Sequence, residues 1–130
     1  MTDLSLEPPG DHLFIRALGE NGIRVGERWI TGAFIIGRQH VQTDWPPQTL
    51  DQLSEAHFGP ILELKPELVL LGTGSRQGLV SPALLRSFYA AGVGIEVMTT
   101  DAACRTFNLL AAEDREVVAA LLPLDEQRTG

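Results

Sequence analysis

The residues that could do chemistry gather in the second half of the chain. Gly72-Thr73-Gly74-Ser75-Arg76-Gln77-Gly78 is a glycine-rich loop that follows an apolar run and precedes a helix. Backbone N–H groups near a helix start, with Arg76 close by, could hold a small anion or a carboxylate. The spacing of Gly72, Gly74 and Gly78 is one residue longer than G-x-G-x-x-G, and the Gly-Lys-Ser/Thr ending of a P-loop is missing. A dinucleotide or nucleotide site is therefore weakly indicated. The plain alternative is a tight turn between strand and helix.

Glu96 lies in the middle of an apolar strand that should be covered on both faces. A buried carboxylate needs a partner, and Arg105, one turn into the following helix, is the candidate. Pairing would lower the Glu96 pKa, and unpaired burial would raise it. Arg105 and Asn108 are spaced i, i+3 and share a helix face opposite Cys104 and Phe107. With Thr99 and Thr100 they would gather near the carboxyl ends of the parallel strands, where open α/β sheets bind ligands. A polar helix face with N-cap hydroxyls accounts for the same residues. The candidate ligand-binding set is thus Gly72, Gly74, Ser75, Arg76, Thr99, Thr100, Arg105 and Asn108.

Other reactive side chains carry weaker signals. Cys104 beside Ala103 and Phe107 reads as a buried, inert thiol. His12, His40 and His57 fall in different elements without metal-ligand spacing, so no metal is expected. No cofactor motif and no Ser-His-Asp arrangement can be read. Trp45, beside Pro46-Pro47, reads as an exposed-loop aromatic that could anchor a partner, unless the loop packs down on the sheet.

The elements that must position these residues follow from pattern. From Leu13 to about Val41 the chain reads as an antiparallel meander, with hairpin signals at Asn21-Gly22 and Gly26-Glu27. Thr49 is a good N-cap for a helix through Leu50, Leu53, Ala56 and His57 that should stop near Gly59-Pro60. Glu67 to Leu71 is a continuous apolar run after its first residue, the mark of a strand buried on both faces. Ser81 at an N-cap and Pro82 at the first helical position open a helix that Gly92 closes. Gly94 to Met98 is the next strand, so strand, crossover helix and strand form a parallel βαβ unit. Thr99-Thr100-Asp101 starts another helix. The stretch from Glu116 to Leu122 is ambiguous between helix and strand, with a slight lean to strand after a turn at Glu113-Asp114.

Length and composition bound the class. At 130 residues the chain is expected to form one domain, able to bury roughly two-thirds of its unfolded surface without a metal or disulfide. Residues 1–11 and 125–130 read as flexible tails. Apolar residues make up 44% and charged residues 21%, ordinary globular values. A net charge of −7, with a single Lys and nine scattered Arg, argues against nucleic acid, which needs clustered cations. One cysteine permits no internal disulfide and suits a reducing compartment. With no apolar stretch of spanning or signal length and no basic, Arg-rich start, direct membrane insertion is not expected, and the protein reads as cytoplasmic.

The runs Leu70-Leu71-Gly72-Thr73-Gly74, Gly94-Ile95-Glu96-Val97-Met98-Thr99-Thr100 and Ala103-Cys104-Arg105-Thr106-Phe107-Asn108-Leu109-Leu110-Ala111-Ala112-Glu113 resemble one small family. Its eukaryotic members include a mitochondrial respiratory complex I assembly factor and an adipogenesis-associated protein. The resemblance covers nearly the whole chain. It implies an α/β fold of three layers around a central mixed sheet, with a final strand over Glu116 to Leu122. Members often have Gly where this chain has Asp114, and Asp tolerates the left-handed conformation that such a turn needs. No enzymatic activity comes with the resemblance. What it implies is a non-catalytic interaction or assembly module whose partner is another protein or a membrane-complex subunit. The competing expectation is a small-anion binder or enzyme using the crevice of the candidate set.

Overall fold

The computed structural model describes residues 12–124, so the two expected tails lie outside the described residues. The described residues open with a three-stranded antiparallel sheet, β1 (Ile15–Gly19), β2 (Gly22–Val25) and β3 (Arg28–Ile30). Gly19 pairs with Gly22 and Val25 with Arg28, so the two turns are Glu20-Asn21 and Gly26-Glu27. The first turn thus falls one residue earlier than Asn21-Gly22, with Gly22 already in the strand.

The meander does not continue. β4 (Phe34–Ile36) and β5 (Val41–Gln42) belong to a second sheet, completed by β6 (Leu68–Gly72), β7 (Gly94–Met98) and β8 (Val117–Leu121) in the order β5-β4-β8-β6-β7. β6 runs parallel to both β7 and β8, while β4 runs antiparallel to β8, which makes the sheet mixed. The expected parallel neighbours therefore stand side by side, with Leu68 opposite Gly94 and Leu71 opposite Val97. The last element among the described residues is a strand, and it takes the centre of the sheet. Asp114 makes the turn before it with φ of 64°.

Why β8 is central follows from its side chains. Val117, Ala119 and Leu121 enter one core while Val118 and Ala120 enter the other, because successive strand residues point to opposite faces. No polar residue interrupts the run, so both faces can be covered. The first core also holds Phe34, Leu70, the inner faces of β1–β3, and Ala103, Cys104, Phe107 and Ala111 of α3 (Thr100–Ala112). The second holds Trp45, Phe58, Ile61, Val69, Leu71 and Phe88, brought by short helical pieces that include α1 (Gly59–Leu62) and α2 (Arg86–Ala90). The molecule has three layers: α3 with the small sheet, the mixed sheet, and the short helices.

The expected helix from Thr49 to His57 is instead two 3₁₀ turns, Leu50–Gln52 and Glu55–Phe58. Leu53 is extended between them, and the Ser54 N–H donates to His57 Nδ1 at 3.0 Å, a local bond that competes with helix continuation. Pro60 begins α1 rather than ending a helix, as suits a residue without an N–H in a first turn. Ser81 does cap a turn, its hydroxyl accepting from Ala83 N–H at 3.1 Å, but the regular part of that helix is only Arg86–Ala90. Val93 N–H on the Phe88 carbonyl and Gly92 N–H on Tyr89 close it as expected. Trp45 is 1% exposed and donates from Nε1 to the His57 carbonyl at 3.0 Å, so its loop packs down. No helix among the described residues is long and apolar enough to cross a membrane.

Candidate functional site

A cleft of about 550 Å³ opens at the carboxyl ends of β6 and β8, walled by residues 48–50, 73–76 and 123–124. This is where the sheet changes direction: β6 leads through α2 to β7 on one side, and the chain returns through α3 to β8 on the other. Open α/β sheets place crevices at such points. The sequence put the crevice between the loops trailing β6 and β7, and the structure puts it between those trailing β6 and β8.

The glycine loop is held from below by Thr100. This residue is fully buried; its Oγ1 accepts from Gly74 N–H at 2.8 Å and donates to the Leu122 carbonyl at 2.7 Å. Thr100 N–H in turn donates to the Gly74 carbonyl at 2.9 Å. Gly74 meets these bonds with φ of 100°, a conformation that glycine adopts freely. At Gly72 a Cβ would come within 2.8 Å of Thr100 Oγ1 and 2.9 Å of its Cα. The two glycines let helix and loop touch.

Those bonds use up part of the expected anion cradle. Thr73 N–H donates to the Met98 carbonyl at 2.8 Å, and Gly74 N–H is held by Thr100. Thr73 Oγ1 donates to the Arg76 carbonyl at 2.6 Å, folding the loop on itself. The regular helix begins only at Arg86, so no helix N-terminus faces the loop. What remains at the cleft is the Arg76 side chain. Among the described residues Arg76 is the one charged member of the cleft wall, exposed, and in no ion pair with another described residue.

Of the eight candidate residues, Gly74, Ser75 and Arg76 line the cleft, with Gly72 and Thr100 directly beneath. The other three go elsewhere. Thr99 caps α3 by accepting from Ala102 N–H at 3.2 Å. Arg105 pairs with Asp101 at 2.6 Å on the exposed side of α3. Asn108 faces β1: its Oδ1 accepts from Ile15 N–H at 2.9 Å and its Nδ2 donates to the Ile15 carbonyl at 2.8 Å. The side-chain amide thereby completes the strand's backbone pairing.

Glu96 also differs from expectation. It is exposed and has no bond to Arg105, because β7 is the edge of the mixed sheet and α3 packs over β6 and β8 instead. Cys104 is buried as expected, and desolvation, helped by the nearby Asp101 charge, pushes its thiol up to about 12. Such a thiol holds its proton and is a poor nucleophile. Among the described residues no group of His, Cys, Asp and Glu could hold a metal ion.

Sequence reasoning missed Gln48. Its Oε1 accepts from Ala33 N–H at 3.1 Å and its Nε2 donates to the Trp45 carbonyl at 3.0 Å, fixing one cleft wall to the start of β4. Nothing local marks this role, since both partners are defined by tertiary contact. Pro123 and Leu124, which also line the cleft, were missed too.

Comparison with known proteins places this architecture. The chain is 32% identical over 113 residues to a Bos taurus protein named NADH dehydrogenase [ubiquinone] 1 alpha subcomplex assembly factor 3, covering 85% of this chain and 61% of the relative. It is 33% identical over 73 residues to a "13 kDa major membrane protein" of Francisella tularensis, covering 56% of this chain and 59% of that one. The chain thus spans about 60% of the length of these curated relatives. A crystal structure from Bordetella parapertussis superposes with a TM-score of 0.82 at 37% identity, over 89% of this chain and 99% of that one. The family model described as "Protein of unknown function (DUF498/DUF598)" matches residues 15–122, and the chain belongs to that family.

Proposed function

We propose that this chain is a non-catalytic interaction module that assists the assembly of a membrane-bound respiratory complex, and that it works as one domain in the cytoplasm. The observation that carries the reading is the 32% identity over 85% of the chain to a protein named as an assembly factor of NADH dehydrogenase. Two features agree with it. The conspicuous polar residues of the C-terminal half, Thr100 and Asn108, are spent on holding the fold together. The net charge of −7 disfavours nucleic acid and suits a basic protein surface. The partner is then a subunit of the complex, or another protein that handles one. Deleting the gene in its own organism and resolving NADH dehydrogenase on blue-native gels tests this. Loss of full-sized complex with accumulation of a subassembly, restored by the intact gene, is the expected result; a normal complex in the deletion strain would refute it.

A second reading rests on the cleft itself. Its 550 Å³ could take a small molecule, with Arg76 meeting a carboxylate or phosphate and Leu50 and Leu124 its apolar part. Thermal-shift screening against anionic metabolites discriminates here. A shift abolished by Arg76→Ala supports a ligand site, and no shift at millimolar ligand removes it.

A further inference from the structure

Among the described residues β7 ends the mixed sheet, and its backbone groups alternate in direction. Gly94 N–H donates to the Glu67 carbonyl at 3.2 Å, and the Met98 carbonyl accepts from Thr73 N–H at 2.8 Å, so residues 94, 96 and 98 turn their peptide groups toward β6. Alternate residues of a strand turn theirs the other way, which leaves those of Ile95 and Val97 facing outward. No strand among the described residues pairs with that side. Among the described residues the one bond there is long, from Gln77 Nε2 to the Val97 carbonyl at 3.4 Å. Toward the other described residues, Ile95 N–H, Ile95 C=O and Val97 N–H are an open ladder.

Side chains decide what could occupy it. Ile95 and Val97 are half-buried and extend the second core to the edge, so an added strand with apolar residues opposite them would prolong that core. Glu96 stands exposed between them on the α3 face. An antiparallel strand bonded at Ile95 and Val97 would set its middle residue directly opposite Glu96, in the non-hydrogen-bonded position where side chains come closest. A second copy pairing about this point would place Glu96 against Glu96, and like charges there are repulsive. The edge excludes itself and admits a cation.

We infer that the β7 edge is a docking site for an extended segment of a different protein, added antiparallel and carrying an apolar–basic–apolar pattern with Lys or Arg opposite Glu96. The assembly reading supplies the need for a protein partner, and this inference deepens that reading by naming the surface and the pattern it selects. Addition of a strand to an open edge takes its affinity from main-chain bonds and its selectivity from alternate side chains.

The test is a ¹⁵N NMR titration of the full chain with the peptide acetyl-Thr-Val-Lys-Val-Thr-amide and its Glu-centred counterpart. The Lys-centred peptide should move the Ile95 and Val97 amide resonances and slow their hydrogen exchange. The Glu-centred peptide should bind about tenfold more weakly, and Glu96→Lys should reverse the order. N-methylation of the peptide amides that face the ladder should abolish binding. Equal binding of both peptides, shifts that avoid Ile95 and Val97, or no binding at all would make Glu96 a guard of the edge only and overturn the proposal. So would dimerisation of the wild-type chain through this strand. Selective peptide binding alongside a normal complex in the deletion strain would keep the docking site and remove the assembly role. An assembly defect without peptide binding would do the reverse.

Discussion

Gly74 and Thr100 bond to each other twice, Gly74 N–H to Thr100 Oγ1 at 2.8 Å and Thr100 N–H to the Gly74 carbonyl at 2.9 Å. With the bond from Thr100 Oγ1 to the Leu122 carbonyl at 2.7 Å, one hydroxyl joins the loop after β6, the start of α3 and the end of β8. The floor of the cleft is therefore a rigid junction between three parts of the chain.

Thr100→Val keeps the shape of the side chain and removes both hydroxyl bonds, leaving the Gly74 N–H and the Leu122 carbonyl buried and unsatisfied. The loss of stability should be roughly 2–4 kcal/mol in urea denaturation, and Thr100→Ser should recover most of it. Gly72→Ala should also destabilise, because its Cβ would meet the Thr100 backbone at 2.9 Å. A stable Thr100→Val variant would deny the junction its role.

Asn108→Ala should free both polar groups of Ile15 and cost about 1–3 kcal/mol. Hydrogen exchange at the Ile15 amide should quicken well beyond the global effect, since β1 loses the partner that Asn108 provides. Unchanged exchange there would mean that the bond contributes little.

Cys104 should resist thiol reagents in the folded protein at pH 8 and react only at the rate of unfolding. Burial holds the folded thiol near 12 against an ordinary value of 9.0. Between those pH values the unfolded chain sheds a proton that the folded chain keeps, so stability falls as pH rises, by at most about 1.4 kcal/mol per pH unit. Cys104→Ala should remove that part of the alkaline slope; rapid labelling of the native protein would contradict the buried, protonated thiol.

The Glu67 carboxylate accepts from Arg115 Nε at 2.7 Å, and this bond holds its pKa below the ordinary 4.5. A lowered carboxylate contributes stability above its unfolded value, and the contribution disappears as pH falls through the folded one. Both side chains are well exposed, so the contribution should be small and screened by salt. An NMR titration should find Glu67 protonating below 4.5 in the native chain and near the ordinary value in Arg115→Ala.

Much of the fold was legible in local pattern. The apolar run of β6, the Ser81-Pro82 and Gly92 signals around α2, and the Thr99 cap of α3 are short-range statements, and each has its counterpart in the structure. The buried thiol of Cys104 was legible too, because Ala103 and Phe107 share its helix face. The failed helix at Thr49 shows the limit of such reading: spacing suited a helix, and the competing Ser54–His57 bond could not be weighed without its geometry.

The sequence by itself determined which segments are apolar on both faces, where turns and caps fall, and hence a parallel unit flanked by helices. Only the tertiary structure decided the order of the strands. Whether a strand lies at the centre or the edge depends on neighbours far along the chain, and that choice buried Val117–Leu121 and exposed Glu96. It also sent Asn108 to Ile15, 93 residues away, and tied Thr100 to Gly74, 26 residues away. Local propensity acts over a turn or a strand, whereas the partners of a buried polar group are chosen by packing.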